Sequence, residues 1–577
     1  MSVRSRCGGS ARAAGVLFVV AASAMACVEG HATPAQTSVP VGPEEAAEWR
    51  EDLGQFAHVM VEQHGNVYHT VSPERFEAMV STLHDRIPDL ARHEIIVEMQ
   101  RIAAAIGDGH TAVLLFFDED VGFHQLPVRF GWYEEGVFVE AAHEDAGVVP
   151  GARLVTIGGV PVHEAVARVT PLISRDNDIW IRVMAPMLLG SPEVLHAVGL
   201  SGDPAFAVLG VEHRGRRTEV RLQASEGPFV IRHGAGAEQE VPPGWTDARA
   251  AAGAPVPLWQ QRPGEPYWYE YLPEARVLYI QYDMVNDAPH GPGVHEFFAE
   301  ALGVLNDPGR PVERVALDIR SNSGGEGGLN AGVVRQLIRR DELQHPGSLV
   351  VIIGRRTFSA AQALAHELDR WTPAVFIGEP TGSSPQFWGD HRVVELANSG
   401  VDVSASPTWW QPGGPYDRRD FLPPLLAFEP WFADYVAGRD PAVEAVLAWE
   451  DQELRLDLDE DALTALTAGD TAGTARIAEA VAAWDANPIH RYRPATAELN
   501  RMGYALLRRD RSELALAVFR LNVELHPKYA NGWDSLGEVL LHVGRRDEGL
   551  AAYRRAFELD PDVGRAAAVL RGRDGAH

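Results

Sequence analysis

The spacing of apolar side chains changes along the chain, and each change marks a different kind of structure. Across residues 43–120 apolar positions recur three and four apart, as at Phe56 and Met60, which predicts amphipathic helices. Short runs rich in β-branched residues replace them over 121–225, and Gly158-Gly159 separates two of these runs as a turn. We therefore expect a helical N-terminal part followed by a β module.

A different pattern follows a stretch rich in Gly, Pro and Ala at 226–265, which predicts a linker. Over 266–450 short apolar runs alternate with helical periodicity, and this alternation is typical of a sheet whose strands are connected by helices. Residues 451–495 are predicted to form linker helices. The whole chain is therefore predicted to be a multidomain α/β protein.

The C-terminal region 496–565 repeats itself with a period of 34 residues. Gly503 recurs as Gly537, and the aromatic position Phe519 recurs as Tyr553. This period and its pattern of small and aromatic residues resemble the tetratricopeptide repeat, a pair of helices that stacks on its neighbours. Two such repeats would form either a groove for a protein partner or a cap that stabilises the C-terminus, and the sequence leaves both open.

Residues 1–27 combine arginines, an apolar run and small residues at the end of that run. The run gives about 21 Å of helix, which is shorter than the bilayer core of about 30 Å. We predict a secretory signal peptide, which implies export to the periplasm or cell envelope. The last four residues (AMAC) fit both ordinary cleavage and a lipobox, in which Cys27 would carry a lipid anchor. Residues 28–42, rich in Pro, Ser and Thr, are predicted to be a linker.

Composition narrows the classes of function. The 577 residues include 51 basic and 80 acidic side chains, a formal net charge of −29, which argues against nucleic-acid binding because phosphates would be repelled. Lys528 is the single lysine, so a catalytic lysine elsewhere is excluded. Cys7 and Cys27 are the two cysteines, and both lie within the predicted signal region, so we expect no intrachain disulfide after cleavage.

Two short segments in the α/β region carry residues suited to catalysis. Residues 318–325 (DIRSNSGG) end on two glycines, which let backbone N–H groups approach a ligand and so suit an oxyanion hole. Residues 357–362 (TFSAAQ) place Ser359 between a predicted strand and a predicted helix. That position suits either a helix N-cap or a nucleophile, and the segment by itself leaves both open.

Two further segments complete the pattern: 107–111 (GDGHT), which presents His110 between small residues, and 377–382 (IGEPTG). In order and spacing the four segments resemble the tail-specific, or C-terminal-processing, serine peptidases. That family combines a D-x-R-x-N-x-G-G turn, a serine in a T-x-S-A context and a G-E-x-T-G segment. Residues 150–162 resemble the PDZ-like module of the same family, which captures peptide ends by strand addition.

The resemblance covers about 45–448 and implies a fold for each part of the chain. The catalytic core over 266–450 is expected to be a ClpP/crotonase-like α/β domain. The region 121–225 is expected to be PDZ-like, between a helical N-terminal part and the C-terminal α-helical repeats. The substrates implied are polypeptides.

The missing lysine determines which branch of the family the chain resembles. In the bacterial processing proteases a lysine acts as general base at a position that is Ser384 here. The histidine-based branch, that of the tricorn core peptidase and the interphotoreceptor retinoid-binding protein modules, implies instead that His110 is the base for the nucleophile Ser359. Imidazole has a reference pKa of about 6.5 and can accept the serine proton at neutral pH. Three backbone N–H groups would stabilise the oxyanion, those of Gly324, Gly325 and Ala360.

The same branch uses an acid after the serine to orient the histidine. Asp417 aligns best with this position and Asp420 is the alternative. His366 and His391 are competing bases, but His366 follows Ser359 by two helical turns, or about 10 Å, and is a poor candidate.

The sequence lacks the usual metal-site and nucleotide-binding motifs, so we expect neither a metal nor another cofactor. The first hypothesis is an exported serine peptidase that acts through an acyl-enzyme. The alternatives are a catalytically inactive member of this scaffold that binds a ligand or peptide, and a serine esterase with the same centre.

Overall fold

The structure, a computed structural model, describes residues 38–116, 118–227, 241–449 and 471–570, together with Leu456, Leu458 and Leu466. The predicted signal peptide, with Cys27, and most of the linker that follows it lie outside the described residues. Among the described helices, none has both the length and the apolar composition that crossing a bilayer requires.

The N-terminal part consists of three α-helices, Pro43–Gln63, Pro73–Arg86 and Arg92–Ile106. The first two begin at prolines, whose fixed φ suits the first helical turn. The third ends at Gly107, whose φ of +90° stops the helix and starts the loop that carries His110.

The β-rich region folds into a seven-stranded, antiparallel sheet. Gly158 and Gly159, both with positive φ, form the predicted turn between two of its strands. The predicted linker 226–265 contributes another strand, Trp245–Asp247, because this segment pairs with Gly136–His143. The strands are Val128–Tyr133, Gly136–His143, Arg153–Ile157, Val160–Pro161, Phe206–His213, Arg216–Gln223 and Trp245–Asp247. The accompanying helices are Val162–Val169, Ile181–Leu188, Pro192–Ala197 and Ala248–Ala251.

The predicted catalytic region contains a six-stranded sheet, parallel except for its first strand in the chain. Side chains alternate between its two faces, so one face packs on three helices and the other on a single helix near the end of the region. In spatial order the strands are Leu426–Ala427, Val375–Gly378, Leu349–Ile353, Arg314–Asp318, Val277–Tyr282 and Tyr267–Leu272. The helices are Val294–Gly303, Asn330–Ile338 and Ser359–Trp371 on the first face, Pro441–Leu447 on the second, and the short Phe432–Ala437.

The structure also contains two small sheets, and the first pairs a strand of the N-terminal part with a strand of the predicted catalytic region. The strand Ala112–Val113, directly after the His110 loop, pairs with Asp402–Ala405, which also pairs with Arg392–Glu395. A second pair, Phe387–Gly389 with Thr408–Trp410, forms a two-stranded antiparallel sheet. We call it the tryptophan hairpin, although the strands Arg392–Glu395 and Asp402–Ala405 lie between its two strands in the sequence. Sheet pairing therefore brings together segments that are about 290 positions apart in the sequence.

The C-terminal region is helical, and its predicted 34-residue period is visible in the packing. Gly503 lies against the ring of Phe519, and Gly537 lies in the same way against Tyr553. Arg491 connects this region to the rest of the protein through ion pairs with Glu134 and Glu429. The helices are Thr471–Ala486, Ala495–Leu507, Ser512–Leu525, Ala530–His542, Arg546–Leu559 and Gly564–Leu570.

Candidate active site

Ser359 lies at the junction between the strand Leu349–Ile353 and the helix Ser359–Trp371, as the sequence predicts. Its φ of +51° lies in the left-handed region, which L-residues rarely occupy. Backbone strain of this kind costs about 1–3 kcal/mol and is concentrated at functional sites. The alternative interpretation of Ser359 as an N-cap is wrong, because Phe358 occupies that position and no side chain caps the helix.

His110 meets this serine across the interface between the N-terminal part and the catalytic region. Its Nε2 lies 3.0 Å from Ser359 Oγ, within hydrogen-bonding distance. Its ring is tilted against that of Phe358 and stacks on that of Phe387, with centroids 4.8 Å and 5.9 Å away. The structure therefore brings together the serine and the histidine that the sequence analysis paired.

The loop that carries His110 is held by the buried carboxylate of Asp108. Asp108 Oδ1 accepts the backbone N–H groups of His110 and Thr111 at 2.9 Å and 2.8 Å. Its Oδ2 lies 3.0 Å from Nε2 of His64, whose Nδ1 accepts the N–H of Asn66, so Nε2 is the nitrogen that donates to Asp108. Burial opposes ionisation of Asp108, but these hydrogen bonds outweigh it and lower the pKa of the carboxyl.

The His110 ring is held in its neutral form. Burial lowers its pKa to about 4, and the neighbouring ring of His391 contributes in the same direction, whereas the Asp108 charge opposes both. A neutral imidazole can accept the proton of Ser359. Among the described residues His110 Nδ1 makes no hydrogen bond, although the backbone of Trp388 is close enough to favour the charged ring.

Two of the three predicted oxyanion donors have free N–H groups. Among the described residues, the N–H groups of Gly325 and Ala360 make no hydrogen bond. The prediction for Gly324 needs correction, because its N–H donates to Asn322 Oδ1 at 3.0 Å. Gly324 contributes through its size, since a Cβ at this position would lie 2.7 Å from the Cβ of Ser359.

The predicted acid Asp417 is not beside His110. Its carboxylate makes an ion pair with Arg419 and lies 3.8 Å from Nδ1 of His366, a buried histidine on the helix that begins at Ser359. In this structure Asp417 therefore cannot orient His110. The reason is topological: the loop that carries Asp417 packs against the helix two to three turns beyond Ser359, where Asp369 also binds Arg419.

The remaining candidate positions are those of Asp420, Ser384 and His391. Asp420 contributes its backbone carbonyl, which accepts hydrogen bonds from Asn177 Nδ2 and Ser384 Oγ, and these contacts are structural. Ser384, at the position of the family's lysine, also donates to the carbonyl of Asp176. The His391 ring lies 5.9 Å from that of His110 between centroids.

Asp176 was not singled out by the sequence analysis, yet it contacts both halves of the site. Its Oδ1 accepts the N–H of Gly109 at 2.9 Å, next to His110, and its Oδ2 accepts the hydroxyl of Ser383. Burial raises its pKa to about 7. The available sequence signal was the polar run 174–178 (SRDND), but such runs are more often solvated loops.

Among the described residues, no group of three or more His, Cys, Asp or Glu side chains is arranged to hold a metal ion.

No family model matches the chain, and no curated protein matches it. Solved structures, by contrast, do match it. A crystal structure of a CPAF mutant aligns with a TM-score of 0.50 at 11% identity and covers 71% of this chain and 98% of its own. The photosystem II D1 C-terminal processing protease aligns at 0.32 and 15% identity, covering 68% and 98%, and the tricorn protease at 0.28 and 14%, covering 71% and 37%. At such low identity the CPAF alignment shows a shared fold, in agreement with the predicted α/β architecture.

Proposed function

We propose that this protein is a serine peptidase that hydrolyses peptide bonds of polypeptides through Ser359 and His110. The observation that supports the proposal most directly is the 3.0 Å separation between His110 Nε2 and Ser359 Oγ at a strained strand-to-helix turn. The two free N–H groups beside the serine and the shared fold with CPAF agree with it.

In the proposed reaction, Ser359 Oγ attacks the scissile carbonyl carbon while its proton moves to His110 Nε2. The resulting oxyanion accepts hydrogen bonds from the N–H groups of Ala360 and Gly325. His110 then protonates the leaving amine, the C–N bond breaks, and an acyl-enzyme remains on Ser359. A water molecule, deprotonated by His110, attacks this ester, and return of the proton to Ser359 releases the acid.

One observation favours a second candidate function, that of a catalytically inactive peptide- or ligand-binding protein. His110 Nδ1 has no carboxylate partner among the described residues, whereas serine peptidases commonly orient this nitrogen with an acid. Without that acid the tautomer that accepts the serine proton is stabilised less strongly. We prefer the peptidase because Asp108 and Asp176 hold the loop of His110 in place by accepting its backbone N–H groups.

The proposal includes export, with the first 27 residues acting as a signal peptide and Cys27 as a site for lipid attachment. This would place the enzyme in the periplasm or the cell envelope. We further propose that the C-terminal repeats bind a protein partner. These parts of the proposal are based on the sequence patterns described above.

The first experiment is covalent labelling of the purified mature protein with a fluorophosphonate, followed by peptide mass spectrometry. We expect the label on Ser359, and we expect it to be lost in His110→Ala. Ser384→Ala is the matched control, because this serine is near the site but its hydroxyl donates to the backbone carbonyls of Asp176 and Asp420, and the variant should leave labelling intact. Absence of label on the folded protein, under conditions that label a control hydrolase, would favour the binding protein.

A further inference from the structure

The tryptophan hairpin has two faces with different surroundings. Directly opposite residues of an antiparallel pair share a face, so Phe387 lies beside Trp410 on one face, and Trp388 beside Trp409 on the other. The contact between the Trp388 and Trp409 rings, at 5.0 Å between centroids, agrees with this assignment.

The Trp388 face is explained by packing within the protein. The Trp388 ring lies 4.9 Å from that of His64 and 5.8 Å from that of His69, both in the N-terminal part. Trp388 therefore attaches the hairpin to the segment that supports Asp108. The partly exposed ring of Trp409 packs against the ring of Trp388.

The Phe387 face lies next to the proposed catalytic centre. The Phe387 ring is buried and stacks on His110 with an interplanar angle of 18°. Beside it, Trp410 is 44% exposed. Gly389 lies on the same face, and a Cβ there would be 3.2 Å from Trp410 and 3.4 Å from Phe387, so the glycine lets both rings pack closely against the strand.

We propose that the exposed ring of Trp410, beside Phe387 and Gly389, forms a subsite that binds an aromatic side chain of the polypeptide substrate close to the scissile bond. This inference rests on the proposed function. The exposed ring of Trp410 favours a further aromatic ring through stacking and burial. Because Phe387 touches His110, and one extended residue spans about 3.5 Å, the bound side chain lies within about two residues of the bond that is cut.

The backbone of the hairpin also suits a polypeptide. Its sheet contains two strands, so within the described part of the chain the outer edge of each lacks a strand partner. An extended peptide can add to such an edge through backbone hydrogen bonds while its alternate side chains enter pockets. The tryptophan hairpin would then supply both the backbone contacts and the preference for an aromatic residue.

The hairpin itself offers a matched control for the test. Trp409 is 42% exposed, almost the same as Trp410, but lies on the opposite face. Two blocked six-residue peptides, alanine throughout except for phenylalanine or alanine at the third position, are the probes. The measured quantity is selectivity, the ratio of kcat/KM for the phenylalanine peptide to that for the alanine peptide.

We expect Trp410→Ala to lower selectivity about tenfold, and Trp409→Ala to leave it unchanged within about twofold. Gly389→Ala, whose Cβ would press on both rings and displace them without removing either, should also lower selectivity and serves if Trp410→Ala does not fold. Equal losses in the two tryptophan variants, or wild-type selectivity near one, would overturn the subsite.

Dissociation constants separate this inference from the proposed function. In the Ser359→Ala background, which cannot form the acyl-enzyme, the phenylalanine peptide should bind about tenfold more tightly than the alanine peptide, and Trp410→Ala should remove the difference. If this binding preference is observed but the wild type does not hydrolyse the peptides, the subsite is retained and the proposed peptidase activity is refuted. Hydrolysis without any preference in binding or turnover would retain the peptidase and refute the subsite.

Discussion

His110 and His366 are two histidines with similar electrostatics and different neighbours. Burial lowers the pKa of each to about 4. His110 faces the hydroxyl of Ser359, with no acid on its other nitrogen among the described residues. His366 lies 3.8 Å from the carboxylate of Asp417, and its Nε2 contacts Gln362 rather than a serine. The components of a serine–histidine–acid triad are thus divided between two places.

The comparison shows that closeness in sequence is a poor guide to closeness of reacting atoms. Ser359 and His366 share a helix, but seven residues correspond to about 10 Å of axial rise. His110 precedes the serine by 249 positions and still reaches its Oγ, because the loop that carries it packs against the segment that carries Ser359. A rigid helix keeps two of its residues at a fixed separation, whereas a loop anchored by carboxylates can place a residue next to a segment that is distant in the sequence.

The largest expected effect comes from removing either member of the proposed dyad. Ser359→Ala and His110→Ala should each lower kcat/KM for a peptide substrate by at least about a thousandfold, because nucleophile and base act as a unit. Thermal stability should change little. His366→Gln is the matched control and should retain activity, measured at the same pH. A loss in that variant as large as in His110→Ala would remove the distinction between the two histidines.

A smaller loss is expected when the support of His110 is altered. Asp108→Asn replaces one acceptor oxygen by an N–H₂ group, so the carboxylate can no longer accept from both His64 and the His110 loop. Misplacement of a catalytic group by about 1 Å can cost about a hundredfold, so kcat should fall by that order while KM changes less. Steady-state kinetics of the folded variant measures kcat and KM separately. Unchanged kcat would show that the loop holds its position without Asp108.

The pH dependence should report His110 rather than an ordinary histidine. The pKa of about 4 means that the ring stays neutral until the pH falls to about 4, and activity should be lost only below that value. At pH 5.5 a histidine with the reference pKa of about 6.5 would be roughly one-tenth neutral, so we expect about tenfold more activity there than an unperturbed base would give.

The same shift predicts how stability changes with pH. The unfolded chain binds more protons than the folded one between pH about 4 and 6.5, so the contribution of His110 to folding is lost as the pH falls through that window. His366 has the same shift, and His366→Gln should weaken this dependence without moving the acid limb of kcat/KM. An acid limb that moves with His366→Gln would contradict the assignment of His110 as base.

The smallest effect is expected at Asp417. Asp417→Asn should keep kcat/KM within about twofold, and the loss of its pairing with Arg419 should destabilise the fold by no more than about 1 kcal/mol. Thermal unfolding and peptide hydrolysis together test this. A fall in kcat of a hundredfold would mean that Asp417 reaches His110 when substrate binds, which would reunite the divided triad.

The sequence by itself determined the local chemistry of this protein. Ser359 at a strand-to-helix junction, His110 in a glycine-flanked loop and the Gly158-Gly159 turn are properties of neighbouring residues, and the structure shows all three. Alternating apolar runs were sufficient to predict the α/β sheet, because buried parallel strands require such runs. Resemblance to a peptidase family then paired the serine with the histidine.

The tertiary structure decided which polar groups meet. Whether Gly324 N–H is free depends on the side chain of Asn322, and whether Asp417 faces His110 depends on how a loop packs against a helix. The contact of Asp176 with the His110 loop likewise joins segments that are 67 positions apart. Such encounters depend on the packing of whole elements, and a hydrogen bond is sensitive to displacements of less than 1 Å, which residue patterns do not encode.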